Sequence, residues 1–260
     1  MDTFRKQASA DAIRAEAAGL RWLAEAQGAP VVELLDEGAG WLKTRRLRSA
    51  APTSEDARRF GRGLAATHAA GADWWGAPPP GCDVGILAEL PAPMAQEPEW
   101  DSFGAFFAEA RLEPYLRMAD ALDADATRRI GAAVEQIAGG ELDAPQPELC
   151  VRSGATVARI HGDLWGGNVL WADEGRAAVG TLIDPAAHGG HAESDLAELG
   201  VFGAPHLGDI LAGYQEVSPL ADGWEARVPV HQLHMWLTHV VLFGGSYVGS
   251  ALEAARAITR

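Results

Sequence analysis

One segment, residues 159–185, constrains this chain more than any other part of it. It places Asp163 in a glycine-rich loop and Asn168 just before a short apolar stretch that the pattern predicts to be a strand. Turn-forming residues at 173–176 predict a hairpin, which brings Asp184 back to the end where Asn168 lies. We therefore expect three oxygen-bearing side chains to converge without any assumption about distant parts of the chain.

This convergence suits phosphoryl transfer, in which a protein positions a hydroxyl, holds Mg²⁺ on the phosphates and neutralises charge. Asp163 is predicted to be the catalytic base that accepts the proton of an acceptor hydroxyl. Asn168 and Asp184 are predicted to bind the metal, because Mg²⁺ prefers hard oxygen ligands. Each residue alone would more often be a turn former or a strand cap. Their ordered spacing, H-x-D-x-x-x-x-N followed by I-D, resembles the catalytic and metal-binding segments of kinase-like folds.

Composition and charge make several classes of partner poor candidates. The chain has 260 residues, 48% of them hydrophobic, as in an ordinary globular protein, and a formal net charge of −15 at pH 7. An acidic surface repels phosphate backbones and anionic membranes, so neither nucleic acid nor a lipid surface is expected as a partner. The sequence contains no apolar run of the roughly 18 residues that a membrane span needs, and no signal-peptide pattern, so we expect a cytoplasmic protein. Cys82 and Cys150 fit no disulfide or zinc pattern and are predicted to be buried or incidental thiols.

The spacing of apolar residues predicts a mixed unit followed by a helical one. A helix is predicted over residues 9–26, strands over 31–36 and 41–47, and a second, capped helix over 54–68. Further helices are predicted over residues 100–121, 124–138, 194–200, 206–216 and 229–257. The boundary between the two parts is expected near residues 47–54.

The sequence around the catalytic segment resembles the fructosamine kinase family, which is related to the aminoglycoside phosphotransferases. The matching stretches lie at residues 163–168, 183–186, 190–197 and 242–247, with a further match over 99–112. The resemblance covers most of residues 4–250. It implies an α+β, protein-kinase-like fold of two lobes, ATP and Mg²⁺ as cofactors, and transfer of phosphate to a sugar hydroxyl. The implied acceptor is a ketosamine of the fructosamine or ribulosamine type, either a small molecule or protein-bound.

The same resemblance implies roles for individual residues. Lys6 matches the lysine that binds the α- and β-phosphates, and Glu16 matches its partner on the first helix. The helical period independently predicts that Glu16 faces inward, where a carboxylate needs a cation. His161 is expected to orient the catalytic loop, and Asp195 matches a buried aspartate that braces it. Three more residues are candidate substrate contacts: Trp165, which is equally open to a packing role, His191 and Glu193.

The N-terminus departs from the kinase pattern. A kinase fold begins with a glycine-rich hairpin that covers the phosphates and needs roughly twelve residues or more. Only five residues precede Lys6. We therefore expect the small lobe, residues 1–50, to lack this hairpin, and residues 51–260 to form the helical lobe with the catalytic and metal-binding loops. Either the protein lacks the hairpin, and ATP is held by the hinge pocket, Lys6 and Mg²⁺, or the sequence begins downstream of its true start.

Three alternative interpretations follow from the same residues. An iron oxygenase could use His161, Asp163 and a distant histidine such as His206 or His239, but this would leave the other two predicted ligands without roles and requires a chain rich in strands. A catalytically impaired module that binds a nucleotide or a sugar amine is the non-enzymatic alternative. A kinase for an aminoglycoside-like or choline-like alcohol is the third, because the motif defines the reaction better than the acceptor. The acceptor and the oligomeric state stay open.

Overall fold

The N-terminal lobe is a three-stranded antiparallel sheet with one helix against it in the computed structural model, which describes residues 2–260. Its elements are, in chain order, β1 (Thr3–Gln7), α1 (Ala10–Glu25), β2 (Leu34–Gly38) and β3 (Trp41–Arg45). β3 lies in the middle and pairs with both other strands. The hydroxyl of Ser9 accepts the backbone N–H of Ala12 and so caps α1 at the predicted position.

Residues 30–32 lie outside this sheet, although the predicted strand began among them. The backbone N–H of Val32 donates to the carbonyl of Leu182, and the N–H of Leu182 donates to the carbonyl of Pro30. This stretch therefore hydrogen-bonds with the larger lobe, and β2 begins later than predicted. The predicted start was wrong because an apolar pattern does not identify the partner with which a short extended segment pairs.

The larger lobe is mainly helical and opens with α2 (Ser54–Ala69), which begins with reciprocal hydrogen bonds between Thr53 and Asp56. Its other elements are β4 (Ile86–Leu87), β5 (Leu90–Pro91), α3 (Phe103–Phe106), α4 (Glu113–Met118), α5 (Ala124–Ala138), α6 (Glu148–Ser153), β6 (Ala158–Ile160), β7 (Val169–Asp173), β8 (Ala178–Leu182), β9 (His188–Gly190), α7 (Ala192–Glu198), α8 (Leu207–Val217), α9 (Trp224–Phe243) and α10 (Val248–Ile258). A π-helical turn, Phe107–Leu112, joins α3 to α4. We propose that the boundary between the lobes lies within residues 47–54.

Two predicted helices are interrupted. The helix predicted over 229–257 is α9 followed by α10, because Gly244 adopts a φ of 79° and leaves the helical conformation. The helix predicted over 100–121 is divided by the π-helical turn. Those predicted over 194–200 and 206–216 are present as α7 and α8 with slightly shifted ends. Within the part of the chain that the structure describes, no helix is long and apolar enough to cross a membrane.

The predicted hairpin is present as β7 and β8, which pair Val169 with Leu182 at the open end. Asn168 and Asp184 therefore leave the hairpin at the same end. β6 leads into the preceding loop and pairs with β9, which follows the hairpin. The hairpin and the two strands that flank it follow one another closely in the sequence. Asn168 and Asp184 therefore come together without a contact between distant parts of the chain. Both cysteines are buried, as predicted.

Candidate active site

A buried carboxylate on α7 holds the loop that carries Asp163. Asp195 has no exposed surface and accepts the backbone N–H groups of His161 at 2.7 Å and Gly162 at 2.9 Å. It also accepts a hydrogen bond at 3.0 Å from Nε2 of His68 on α2. Burial by itself would raise the pKa of Asp195, but the hydrogen bond and charge from His68 lower it below its ordinary value. Asp195 was predicted to brace the catalytic loop, and this role requires an ionised carboxylate that accepts hydrogen bonds. Asp195 is such a carboxylate, and it contacts the loop directly.

The loop that carries Asp163 passes so close to the start of β9 that residue 162 has to be glycine. Gly162 adopts a φ of 79°, which glycine tolerates best. A Cβ atom at this position would lie 2.3 Å from the carbonyl oxygen of Ala186 and 2.8 Å from Nδ1 of His188. The glycine between His161 and Asp163 therefore permits a close approach between the catalytic loop and the segment that follows Asp184.

His161 connects the catalytic loop to the predicted metal-binding loop. Its Nε2 lies 2.8 Å from the carbonyl oxygen of Ile183, and its Nδ1 accepts the N–H of Asp163 at 3.3 Å. Burial lowers the pKa of His161, so the imidazole is neutral and donates from Nε2. With both ring nitrogens engaged by the backbone, His161 is in the position of a supporting residue. It is not free to bind iron as an oxygenase would require.

Asp163 and Asn168 are in direct contact. The amide nitrogen of Asn168 donates to the carbonyl oxygen of Asp163 at 2.7 Å and to Oδ2 of its carboxylate at 3.0 Å. The amide oxygen of Asn168 takes no part in these two bonds. Burial raises the pKa of Asp163 to about 7, against the opposing effect of the Asn168 hydrogen bond. A carboxylate with a pKa close to neutrality is well matched to accepting a proton from an alcohol.

Lys6 on β1 lies between two carboxylates from different parts of the chain. Its Nζ is 2.7 Å from Oε2 of Glu16 and 3.2 Å from Oδ1 of Asp184. Burial lowers the pKa of Lys6, but the two carboxylates outweigh it, so the pKa is raised and the ammonium stays charged. Burial raises the pKa of Glu16 to about 7, although Lys6 opposes this shift. The predicted Lys6–Glu16 pair is thus formed in the structure, and it extends to Asp184.

The backbone around Asp184 is unusual and tightly packed. Asp184 adopts a φ of 51°, a conformation that costs a non-glycine residue free energy and is concentrated at functional sites. The following Pro185 lies against α1 at Gly19, where a Cβ atom would be 3.1 Å from Cγ of the proline. The absence of a side chain at Gly19 therefore lets α1 pack closely against the predicted metal-binding loop.

A cleft of about 210 Å³ opens beside this group. Both lobes line it, with apolar and charged residues. The lining residues are Phe4, Glu16, Val32, Leu42, Thr44, Arg45, Arg46, Leu47, Leu170, Ile183 and Asp184. Most of these residues were not identified as functional from the sequence, because no local pattern distinguishes them from other positions on strands and in the segments between them.

The three candidate substrate contacts have different environments. Trp165 follows the catalytic loop, is 37% exposed, and packs edge-on against Phe202 with ring centroids 6.0 Å apart. His191 and Glu193 are only 1% and 3% exposed. Both carboxylate oxygens of Glu193 accept from Arg227, at 2.6 and 2.8 Å. His191 and Glu193 expose almost no surface to a substrate, so we assign them to the protein core. Trp165 stays open to both predicted roles, a substrate contact or a packing residue.

His191, Glu193 and His231 also lie close enough together to hold a metal ion, with candidate ligand atoms within 4.8 Å of one another. Arg227 already neutralises the carboxylate, and its charge opposes a second cation. Burial opposes ionisation of Glu193, but the hydrogen bonds from His231 and Arg227 lower its pKa to about 2. We therefore interpret this group as a buried ion-pair network.

Sequence reasoning missed His68, which supports Asp195 from α2. It is fully buried, and its Nδ1 lies 2.9 Å from the hydroxyl of Tyr214 on α8. The available signal was helical periodicity, since Phe60, Leu64 and His68 repeat every four residues on the inward face of α2. A histidine at the end of such an apolar stripe needs polar partners in the core.

Comparison with known proteins identifies the family. The family model described as fructosamine kinase matches residues 3–260. The chain is 33% identical over 245 residues to a probable ketoamine kinase of Thermus thermophilus, covering 94% of this chain and 81% of that protein. Matches to probable ketoamine kinases of Enterococcus faecium and Klebsiella aerogenes, by contrast, span 32% and 52% of the length of those proteins.

Solved structures give the fold. A Thermobifida fusca protein named after fructosamine-3-kinase superposes with a TM-score of 0.85 at 41% identity, covering 99% of this chain and 85% of that one. An aminoglycoside phosphotransferase solved with ADP and hygromycin B superposes with a TM-score of 0.58 at 14% identity, covering 96% and 84%, which establishes likeness of fold alone. The predicted α+β, protein-kinase-like fold is therefore confirmed. The chain belongs to the fructosamine kinase family.

Proposed function

We propose that the protein is an ATP-dependent small-molecule kinase that transfers the γ-phosphoryl group to a sugar-derived hydroxyl of a ketosamine. The observation that carries this proposal is the meeting of Asp163, Asn168, Asp184 and Lys6 beside a cleft lined by both lobes. A base, hard oxygen ligands and a cation for the phosphates are the parts that phosphoryl transfer needs. Membership of the fructosamine kinase family supports the same reaction.

The cleft suits a nucleotide. Phe4, Leu42 and Leu170 provide apolar walls for a flat aromatic base, and the backbone from Arg45 to Leu47 runs along its edge. Asp184 lines the cleft and Nζ of Lys6 lies 3.2 Å from its carboxylate, so the phosphates would lie beside these two residues. This arrangement would bury the base between the lobes and direct the phosphates toward Asp163.

The residues present fit Mg²⁺. Asn168 uses its amide nitrogen to bond Asp163, which leaves its amide oxygen as a ligand, and Asp184 contributes a carboxylate. Two protein oxygens together with phosphate oxygens and water are the usual set for this ion. When bound, Mg²⁺ would neutralise charge on the phosphates. Lys6, released in part from Asp184, would then contact the phosphates while Glu16 keeps its position.

Asp163 would act on the acceptor. Its carboxylate would accept the hydroxyl proton as the hydroxyl oxygen bonds to the γ-phosphorus, while the bond from that phosphorus to the bridging oxygen breaks and ADP leaves. Asn168 holds the carboxylate in place through Oδ2. Asp195 holds the backbone before Asp163 and His161 accepts the N–H of Asp163 itself, so the base would need little rearrangement before reaction. Trp165, partly exposed next to this loop, would cover one face of the sugar.

Turnover should require a divalent cation, because the proposed ligands are hard oxygens. We expect ADP release in a coupled assay with ATP, a ribulosamine or fructosamine acceptor, and Mg²⁺ or Mn²⁺. Excess EDTA should abolish it, and added Mg²⁺ should restore it. Undiminished turnover in EDTA would contradict the proposal. Parallel assays with aminoglycoside and choline acceptors test the alternative kinases, and nucleotide binding without any turnover would favour the binding module.

Asp184→Ala should weaken Mg·ATP binding itself. The substitution removes one of two proposed protein ligands and the second carboxylate next to Lys6, at 3.2 Å. We expect about a 10- to 100-fold loss of Mg·ATP affinity by calorimetry, with much less change for ATP measured without metal. Equal losses with and without Mg²⁺ would show that Asp184 does not act through the ion. The exposed Asp173→Ala, at the far end of the hairpin, is the matched control.

A further inference from the structure

A second buried carboxylate holds the catalytic loop. Glu198 lies one turn beyond Asp195 on α7 and is only 2% exposed. Its Oε2 accepts the backbone N–H of Leu164 at 2.9 Å, immediately after Asp163. Asp195 and Glu198 together therefore accept three backbone N–H groups of the loop, two before Asp163 and one directly after it. The orientation of Glu198 then bears directly on the position of the base.

The other oxygen of Glu198 has no close partner. Oε1 lies 3.6 Å from Nδ1 of His234 on α9, which is too long for a good hydrogen bond. Burial raises the pKa of Glu198 well above its ordinary value, and the nearby charges of Asp195 and Asp163 raise it further. A carboxyl group in such surroundings needs a polar contact on its free oxygen if its orientation is to be fixed.

Arg111 lies near this carboxyl group and also has an unused donor. It comes from the π-helical turn, is 1% exposed, and its Nη1 donates to the carbonyl oxygens of Pro93 and Ala110. Its guanidinium carbon lies 4.9 Å from the ring centre of Phe106. Burial lowers the pKa of Arg111 to about 10, so the group is charged at neutral pH. Its Nη2 is buried without a hydrogen-bond partner among residues 2–260.

A small cavity connects these groups. Arg111, Glu198 and His234 all line it, together with Gly162 of the catalytic loop. Its volume is about 10 Å³, close to the smallest space that holds one water molecule. Nε2 of His234 is, like Nη2 of Arg111, buried and unpartnered within the described chain. The cavity thus offers a carboxyl oxygen, a guanidinium donor and an imidazole nitrogen, and buried waters typically make about three hydrogen bonds.

We propose that this cavity binds one ordered water molecule that joins Nη2 of Arg111 to Oε1 of Glu198, and that Arg111 thereby positions the catalytic loop from behind. Neither side chain lines the cleft proposed for the nucleotide. Their effect reaches Asp163 through the hydrogen bond from Leu164 to Glu198. A shift of about 1 Å in a reacting group can cost 100-fold in rate, so such a link is large enough to measure.

The first test separates hydrogen bonding from packing at Glu198. Glu198→Gln keeps an oxygen that accepts the Leu164 N–H, whereas Glu198→Met fills similar volume without an acceptor. We expect the glutamine variant to retain kcat within about threefold and the methionine variant to lose about 10- to 100-fold, both with little change in KM for Mg·ATP. Equal kcat values for the two variants would overturn the positioning role.

The second test asks whether Arg111 acts through Glu198. Arg111→Met should lower kcat about 10-fold, and combining it with Glu198→Met should add little, because the link is already broken. Independent, multiplicative losses would overturn the proposal. Arg227→Met is the matched control, since it breaks another buried arginine–glutamate contact on α7 that does not reach the catalytic loop. It should lower thermal stability while leaving kcat unchanged.

The kinetic tests rest on the proposed function, and a crystal structure supplies a readout that does not. At high resolution, the wild-type protein should contain one water between Nη2 of Arg111 and Oε1 of Glu198, and Glu198→Gln should retain it. A dry cavity or a direct Arg111–Glu198 contact in the wild type would overturn the water site. If the wild type binds this water but turns over no acceptor, the proposed function fails and the water site stands.

Discussion

Asp163→Asn should lower turnover by about 10²–10⁴-fold, because an amide cannot accept the hydroxyl proton. The amide oxygen can still accept the hydrogen bond that Asn168 donates to Oδ2, so the loop should keep its shape. Mg·ATP affinity, measured by calorimetry, should therefore change little. The coupled ADP assay provides the rate.

The matched control for this substitution is Asp173→Asn. Asp173 is an exposed aspartate at the end of β7 whose side chain accepts only the N–H of Gly175 in the hairpin turn. It should keep wild-type turnover. If Asp163→Asn also turned over at a rate near that of the wild type, another group would have to be the base. A large loss of Mg·ATP affinity in Asp163→Asn would instead indicate that the carboxylate supports the metal.

Lys6→Met should weaken Mg·ATP binding and lower thermal stability together. The substitution removes the cation that lies 2.7 Å from Glu16 and 3.2 Å from Asp184, so two carboxylates lose their common partner. We expect about 1–3 kcal/mol of destabilisation, less than for a fully buried pair because part of Lys6 is exposed to water. The affinity loss should be about 10- to 100-fold by calorimetry, since the ammonium is the proposed contact for the phosphates.

Glu16→Gln should be milder than Lys6→Met. Its amide removes a carboxylate whose pKa is raised to about 7, while Lys6 can still reach Asp184 and the phosphates. The double variant gives the coupling between the two residues. Additive effects would show that the Lys6–Glu16 contact has no energetic consequence, and Lys6 would then be a solvated surface residue.

Lys43→Met controls for the loss of a lysine from the same sheet. Lys43 lies on β3 between two residues that line the cleft, Leu42 and Thr44, so its side chain points to the other face. It lies 4.0 Å from Asp36, in an exposed contact of little energetic weight. Mg·ATP affinity and melting temperature should both stay at the wild-type values.

Local sequence patterns were sufficient wherever the interacting residues are close along the chain. Asn168 and Asp184 are joined by a single hairpin, so turn residues and strand alternation predicted that they meet. The Ser9 cap and the inward face of α1 at Glu16 follow from the helical period in the same way. Resemblance to a family added the Lys6–Glu16 pair, which periodicity by itself did not predict.

Tertiary structure decided the contacts between segments that are distant in sequence. The extended stretch before β2 pairs with Leu182 in the other lobe, and Lys6 reaches Asp184 as well as Glu16. Glu193 was a candidate substrate contact from the sequence, but α7 is buried along its whole length and that carboxylate pairs with Arg227.

The sequence by itself determined the hairpin that joins Asn168 to Asp184, the inward faces of the helices and the family. Each of these depends on residues that are close in sequence or on a local pattern. Only the folded chain determined which polar side chains face the cleft and which lie in the core, including the cluster of Arg111, Glu198 and His234 behind the catalytic loop. The physical reason is that burial of a polar group is decided by the partners that packing brings to it, and those partners come from helices far apart in sequence.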